Sequence, residues 1–262
     1  MGKSLKHETR AVALASGADL VGVVSVADLP EHAESIRRIL PSARTVVAIA
    51  SRHSASSIRS ANIQVAQFDT IHTYGEVERA AHATARFLES EGYPSAGVPA
   101  FIPLDMRDPK KGMVGEICWR RAAVRSGIGS YGENGLLVTR ELGSAVRISG
   151  VVTAADLEAD PPLEQEACDH CMRCVEACPP RALSGGGKVD KKLCGDQVFQ
   201  HGFRFFRRFM EDLVTKPPAE ARGMLAGEGL REIWQTFMTG NYYYCFACQS
   251  QCPSDRLPGR GH

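Results

Sequence analysis

Eight of the nine cysteines lie after residue 167, and their spacing is the strongest chemical signal in the chain. Cys168, Cys171, Cys174 and Cys178, followed by Pro179, read C-x2-C-x2-C-x3-C-P. That run serves [4Fe-4S] clusters: three thiolates hold one cubane, and in two-cluster carriers the fourth ligates the other. Pro179 stops any helix that would carry Cys178 back to the first three. A partner run is therefore required. Cys245, Cys248 and Cys252, followed by Pro253, supply C-x2-C-x3-C-P, and Cys194 is the one cysteine between the two runs. Two groups of four follow: Cys168, Cys171, Cys174 and Cys252, then Cys178, Cys194, Cys245 and Cys248. Zinc suits paired C-x2-C hooks, but it explains neither the third cysteine two residues on nor the proline after the fourth. Disulfides would need an oxidising compartment. The chemistry expected is one-electron transfer at low potential.

Gly127-Ile-Gly129-Ser-Tyr131-Gly132 matches G-x-G-x-x-G, yet a helical pattern precedes it and a strand follows. The dinucleotide fingerprint needs the reverse order. We read a tight glycine loop in which missing side chains let backbone N–H groups approach a polar ligand; a plain helix-to-strand turn is the alternative. Asp69-Thr-Ile-His72-Thr-Tyr-Gly75 is one residue out of step with the corrinoid spacing D-x-H-x-x-G, so His72 reads as a residue of a polar patch near a helix start. Cys118, outside both runs, reads as a small buried side chain. His201-Gly-Phe-Arg204-Phe-Phe-Arg207-Arg208-Phe209 reads as an amphipathic helix with phenylalanine inward and arginine in water. Docking of an acidic electron donor or RNA is the other reading. Tyr242-Tyr-Tyr244 is expected to pack on a cluster or line a pocket.

These residues need elements to hold them. Helical spacing covers 4–16, 32–40, 69–91 and 114–125, and apolar β-branched runs at 20–26, 45–50, 97–102, 135–139 and 145–153 read as strands. The last two are close enough for a hairpin. Alternating helices and strands with a terminal hairpin argue for α/β architecture with a mixed sheet. Residues 154–166 are acidic and proline-containing, a linker into the cysteine-bearing part. Helical spacing at 191–212 and 219–238, split by Lys216-Pro217-Pro218, describes an insert of about 195–240 packed over the clusters. The expected organisation is a cofactor-binding α/β domain at 1–160 and a ferredoxin-like two-cluster module at 161–262.

The 262 residues are 44% hydrophobic and 23% charged, ordinary for a globular protein. A net charge of +1 gives no global field toward nucleic acid or anionic membrane. No apolar run approaches the roughly 20 residues needed to span a bilayer. The first residues carry no apolar stretch and no twin arginine. A cytoplasmic, reduced setting is expected.

Taken together, Gly115 to Thr139, Gly143 to Thr153 and the two cysteine runs resemble the iron–sulfur proteins related to epoxyqueuosine reductase and reductive dehalogenases. The resemblance covers about residues 69–253. It implies a nitroreductase-like α/β fold that holds cobalamin base-off, with FMN as the other cofactor such folds take. Gly127, Gly129, Tyr131, Gly132 and Asn134 would then contact the cofactor. The implied activity is an oxidoreductase: two [4Fe-4S] clusters, fed by a ferredoxin- or flavodoxin-type donor, pass electrons to a corrinoid that reduces a small molecule. An electron carrier serving a partner corrinoid or flavoprotein is the alternative. Neither reading calls for nucleic acid or membrane. The resemblance puts a proton-donating aspartate shortly before Gly115-Glu116, where this chain has Lys110-Lys111. Tyr131 and Asp105 are the nearest candidates for that role.

Overall fold

The structure is a computed structural model and describes residues 4–100, 115–240 and 243–252. Asp105, Lys110, Lys111 and Pro253 lie outside the described residues.

The chain opens with α1 (Leu5–Ala15), β1 (Leu20–Ser25), α2 (Ala33–Ile39) and β2 (Thr45–Arg52). A single turn, α3 (Ala55–Ile58), leads to the long α4 (Ile63–Ser90) and to β3 (Ser95–Val98). Next come α5 (Trp119–Arg125), the short strands β4 (Ser130–Tyr131) and β5 (Leu137–Val138), and β6 (Val146–Thr153). The cysteine-bearing part holds α6 (Arg173–Glu176), β7 (Leu183–Gly185), β8 (Lys188–Val189) and α7 (Lys191–Val198). It continues through α8 (Phe203–Thr215), α9 (Pro218–Ala226), α10 (Glu228–Thr239) and α11 (Ala247–Gln251).

Four strands form the main sheet in the order β1-β2-β6-β3, every pair antiparallel. β2 is central, and its alternation separates two cores. Val46, Ala48 and Ala50 join Ile36, Trp119 and Ala122 on one side. Val47 and Ile49 join Ala13, Val77, Ala80 and Leu88 on the other. The sheet is thus covered on both faces, which is why its strands read as continuous apolar runs. Burying each such large side chain stabilises the fold by about 1.5–3 kcal/mol.

α4 meets the sheet through a stripe of small residues, among them Ala66, Thr70, Thr73, Val77, Ala80, Ala81 and Thr84. Its buried hydroxyls are satisfied within the helix: Thr70 donates to Ala66 O at 2.9 Å and Thr84 to Ala80 O at 2.7 Å. Asn62 caps the start by accepting from the Gln64 N–H at 3.0 Å.

Three expectations need correction. α4 begins at Ile63, ahead of residue 69, because the Asn62 cap extends the helix over a polar first turn. The described strands pair only antiparallel, so within them the sheet is not mixed. The stretches 135–139 and 145–153 do not form a hairpin. β5 pairs with β4, inside the glycine loop, while β6 enters the sheet between β2 and β3. A tight turn closed by the Thr139–Gly143 bridge makes the break between them.

The segment after β6 is fixed at Asp160, whose carboxylate meets Lys6 at 2.8 Å, Arg10 at 2.5 Å and the Val23 N–H at 2.7 Å. α8 is amphipathic as expected: Phe209 is buried, Arg207 pairs with Glu211 and Arg208 with Asp196. Phe203 on α8 and Trp234 and Met238 on α10 are exposed.

Candidate iron–sulfur centre and adjoining cleft

The first cysteine run is bent by two non-glycine residues in the left-handed region, His170 (φ 55°) and Met172 (φ 60°). Such backbone persists only where the surroundings hold it. His170 bridges two carboxylates, with Nδ1 2.6 Å from Glu133 and Nε2 3.0 Å from Glu166. Glu133 first, then Glu166, raises the His170 pKa, and His170 in turn lowers that of Glu133. Glu133 also accepts from the Gly186 N–H. Upstream, Ser130 Oγ accepts from the Ala167 N–H at 2.9 Å and the Cys168 N–H at 3.3 Å. The glycine-loop ribbon thus holds the start of the run, and the turn α6 then sets Cys174 inward.

The thiols fall into two neighbourhoods. Burial first, then Cys252, Cys168 and Cys171, pushes the Cys174 thiol up to about 11. Burial first, then Cys245 and Cys194, pushes Cys248 up to about 12, and Cys194 is raised by burial, Cys245 and Cys178. Cys168, Cys171, Cys174 and Cys252 also border one small cavity. Buried thiolates that repel one another need a cation among them, and metal binding releases their protons. Among the described residues no three His, Cys, Asp or Glu side chains form a single-ion site. Cys171 is exposed, whereas Cys174 and Cys252 are buried.

A second feature adjoins the thiols: a cleft of about 660 Å³ between the sheet edge and the cysteine-bearing part. Val98, Ile117, Trp119, Leu137 and Ile148 give it apolar walls, and Tyr74, Arg120, Arg147 and Lys191 give it polar points. Tyr243 and Gln249, flanking Cys245 and Cys248, form part of one wall. That wall is tied back by Gln249 Nε2 donating to Ser144 O at 2.9 Å and Gln67 Nε2 donating to Tyr243 O at 3.1 Å.

Cys118 also lines this cleft. It is half-buried at the start of α5, which corrects its reading as a small buried side chain. Burial alone would raise its pKa, but the hydrogen bond from His32, the Arg121 backbone N–H and the Arg120 charge outweigh burial and bring it down to about 7. Tyr131 is drawn to the same corner. Its pKa is raised by burial and then by the Cys118 charge, against a hydrogen bond from Arg121. Arg121 meanwhile pairs with Glu31 at 2.5 Å.

The glycine loop is built differently from its sequence reading. A Cβ on Gly129 would lie 2.2 Å from Val138 O, and one on Gly127 would lie 2.4 Å from Pro161 O. On Gly132 it would meet the Val138 side chain at 2.5 Å. The chain itself fills the space the glycines leave. Asn134 is buried and occupied locally, accepting from the Leu136 N–H at 3.0 Å and donating to Ser144 Oγ at 3.3 Å. Of this loop, Leu136 and Leu137 reach the cleft, not the glycines. His72 lies on α4 against Phe68, ring centroids 4.3 Å apart, and borders a different cleft, beside Asp69 and His53. Sequence reasoning did not single out His32, Trp119 or Arg147. A lone arginine inside the apolar run 145–153 was the available signal for the last.

Comparison with known proteins now has a geometry to meet. Residues 161–184 match the 4Fe-4S binding domain family. An epoxyqueuosine reductase from Synechocystis sp. is 30% identical over 224 residues, 84% of this chain and 65% of that protein. The chain is thus similar to iron–sulfur proteins related to epoxyqueuosine reductase. The epoxyqueuosine reductase of Lactococcus garvieae is 43% identical over 134 residues, 51% of this chain and 31% of that protein. The chain thus spans about a third to two thirds of the curated relatives it matches. Among solved structures, an epoxyqueuosine reductase with a tRNA stem loop superposes with TM-score 0.55 at 20% identity, covering 96% of this chain and 65% of that one. A reductive dehalogenase studied for B12-dependent dehalogenation superposes with TM-score 0.57 at 16% identity, over 86% and 36% of the two chains. These two likenesses show that this chain has a fold similar to both. No helix among the described residues is long and apolar enough to cross a membrane.

Proposed function

We propose that the chain is an oxidoreductase in which two [4Fe-4S] clusters pass single electrons to a cofactor held in the 660 Å³ cleft, and that this cofactor is a base-off corrinoid. The observation that carries the reading is the shared wall: Tyr243 and Gln249 line the cleft and flank Cys245 and Cys248. A cluster held by Cys178, Cys194, Cys245 and Cys248 would share the segment that forms this wall. Cys168, Cys171, Cys174 and Cys252 would hold the other cluster, and the exposed Cys171 gives a donor protein its approach.

The cleft suits a broad ring with a polar rim. Val98, Ile117, Trp119 and Ile148 offer the apolar surface, and Arg120 and Lys191 offer charge at the edge. Trp119 is held in place by its Nε1–H donating to Pro99 O at 3.1 Å. A corrinoid supplies low-potential cobalt chemistry, and the protein's part is binding, orientation and exclusion of water. Cys118, with its lowered pKa, is the group positioned to hold or move a proton at the cleft, and Tyr131 couples to it from outside the lining. The glycine-loop positions 127, 129, 132 and 134 would act at one remove, by holding Leu136 and Leu137 in the wall. FMN is the other cofactor the cleft would admit.

The substrate class divides two ways. A small molecule is the expectation from sequence. The structural relative solved with a tRNA stem loop makes a modified nucleoside in RNA the reading to test beside it. The electron-carrier alternative draws on one observation, the exposed apolar residues Phe203, Trp234 and Met238, which a partner protein would cover.

EPR of anaerobically reconstituted protein mixed with cob(II)alamin tests the cofactor. A base-off Co(II) signal without nitrogen superhyperfine splitting is expected. A free-cobalamin spectrum beside two reducible clusters would overturn the corrinoid reading.

A further inference from the structure

Arg147 is the cleft residue whose chemistry the reading above leaves unused. It sits on β6 opposite Ser51 of β2. Its guanidinium carbon is 4.9 Å from the centroid of the Tyr74 ring and 4.9 Å from that of Tyr243. Both distances are within cation–π range. The two phenols are joined by a 2.9 Å hydrogen bond between their hydroxyls. The guanidinium is therefore fixed from α4 on one side and from the C-terminal cysteine run on the other.

Its polar edge is another matter. Nε and Nη2 are buried, and neither has a hydrogen-bond partner among the described residues. A buried donor left unpaired costs about 1–3 kcal/mol, and more on a charged group. Arginine cannot escape that cost by losing its proton. Among the described residues, Glu116 of the same cleft is taken by Arg38 at 2.9 Å. Tyr74 is held neutral, its pKa raised by burial. His53 has its pKa lowered first by burial and also by Arg147 itself, and its Nδ1 is taken by Asp69 at 2.6 Å. Among the described residues no carboxylate is ion-paired with Arg147.

The unpaired atoms are also the pair that matters geometrically. Nε–H and the Nη–H on the same edge point in parallel, the fork that grips two oxygens of one carboxylate or phosphate. We propose that Arg147 anchors an oxyanion, a carboxylate or phosphate group, carried by the molecule that occupies the cleft. The anchor rests on the reading of that cleft as the ligand site. Tyr74 and Tyr243 orient the guanidinium, and because both fork atoms are covered here a neighbouring group must shift for the anion to reach them.

The test uses the full chain with its clusters reconstituted and two probes, phenyl phosphate and benzoate, followed by titration calorimetry. One-to-one binding of at least one probe is expected, weakened tenfold or more by Arg147→Gln. Arg147→Lys keeps the charge and loses the fork, and falls in between. A preference for phenyl phosphate identifies a phosphate source and a preference for benzoate a carboxylate. Cluster absorbance reports whether each variant is assembled. If Arg147→Gln does not assemble, the wild-type protein decides: phenylglyoxal modification of Arg147, read by mass spectrometry, should be blocked by the bound probe. Neither probe binding, equal binding by an assembled Arg147→Gln, or unblocked modification would overturn the anchor. A base-off cob(II)alamin signal in protein that binds neither probe sinks the anchor and leaves the corrinoid reading standing. Anion binding without any cobalamin signal does the reverse.

Discussion

Alkylation of Cys118 puts the electrostatics of the cleft to a quantitative test. The thiol has a pKa of about 7 in place of 9.0, because His32, the Arg121 N–H and the Arg120 charge outweigh burial. At pH 7 about half of it is thiolate, against roughly 1% for an unshifted group, a gain of about 50-fold in the reactive form. Intrinsic nucleophilicity falls with pKa at a Brønsted slope of about 0.4–0.5, which returns about eightfold over two units. The net expectation is labelling by iodoacetamide about sixfold faster at pH 7 than for an unshifted cysteine of equal access. The sign of the pH dependence follows from the lowered pKa. The rate climbs through about pH 7 and is flat above about pH 8, where an ordinary thiol is still climbing. Reconstituted protein is used, so that clusters protect the other cysteines, and the Cys118 peptide is quantified by mass spectrometry. His32→Ala removes the largest contribution that lowers the pKa, so the midpoint should move up and the pH 7 rate should drop. A wild-type midpoint near 9, or a His32→Ala profile that overlays the wild type, would refute the account.

Two further outcomes follow from the described geometry. Cys194→Ala should lose about half of the bound iron and one of two reducible EPR signals, whereas Cys118→Ala should keep both. Iron loss in Cys118→Ala equal to that in Cys194→Ala would break the assignment of thiols to clusters. Leu88→Ala, at a fully buried site between α4 and the sheet, should destabilise the protein by about 3 kcal/mol. For a chain of this size that lowers the apparent Tm by about 6–12 °C, and a shift under about 2 °C would mean that the α4 interface is looser than its burial implies.

How much of this could be read from the residues alone varies with the range of the contacts. The cysteine runs were legible because three of the four thiols in the first group sit within seven residues, where spacing and the stop at Pro179 dictate geometry. The central strands were legible because burial on both faces leaves an uninterrupted apolar run. The cleft was not legible: its walls come from α2, α4, β3, α5, β6 and the C-terminal run, which only the fold brings together. The packing of the glycine loop was not legible for the same reason. Its missing side chains make room for Val138 O and Pro161 O, contacts made by the fold. Cys118 was misread because nothing near it in sequence announces His32. The hairpin failed because the true partner of β5 is a strand of two residues, too short to carry a period.

The shared wall has a consequence for maturation. Residues 243–252 are held to the body of the protein by hydrogen bonds from Gln67, Arg59, Tyr74 and Gln249, by Arg147 on the Tyr243 ring, and by the burial of Phe246 against Ile58 and Ala66. On the proposed ligand assignment iron would be a further tether: Cys252 would close the group begun at Cys168, and Cys245 and Cys248 the one begun at Cys178, each across a long loop whose closure is entropically costly. Before iron arrives, the buried thiols stay protonated and this wall of the cleft lacks its metal tether. Loading should therefore be ordered, clusters first and the cleft's occupant second. A chain starved of iron would then be deficient twice over, lacking both its electron carriers and the surface against which the cofactor rests.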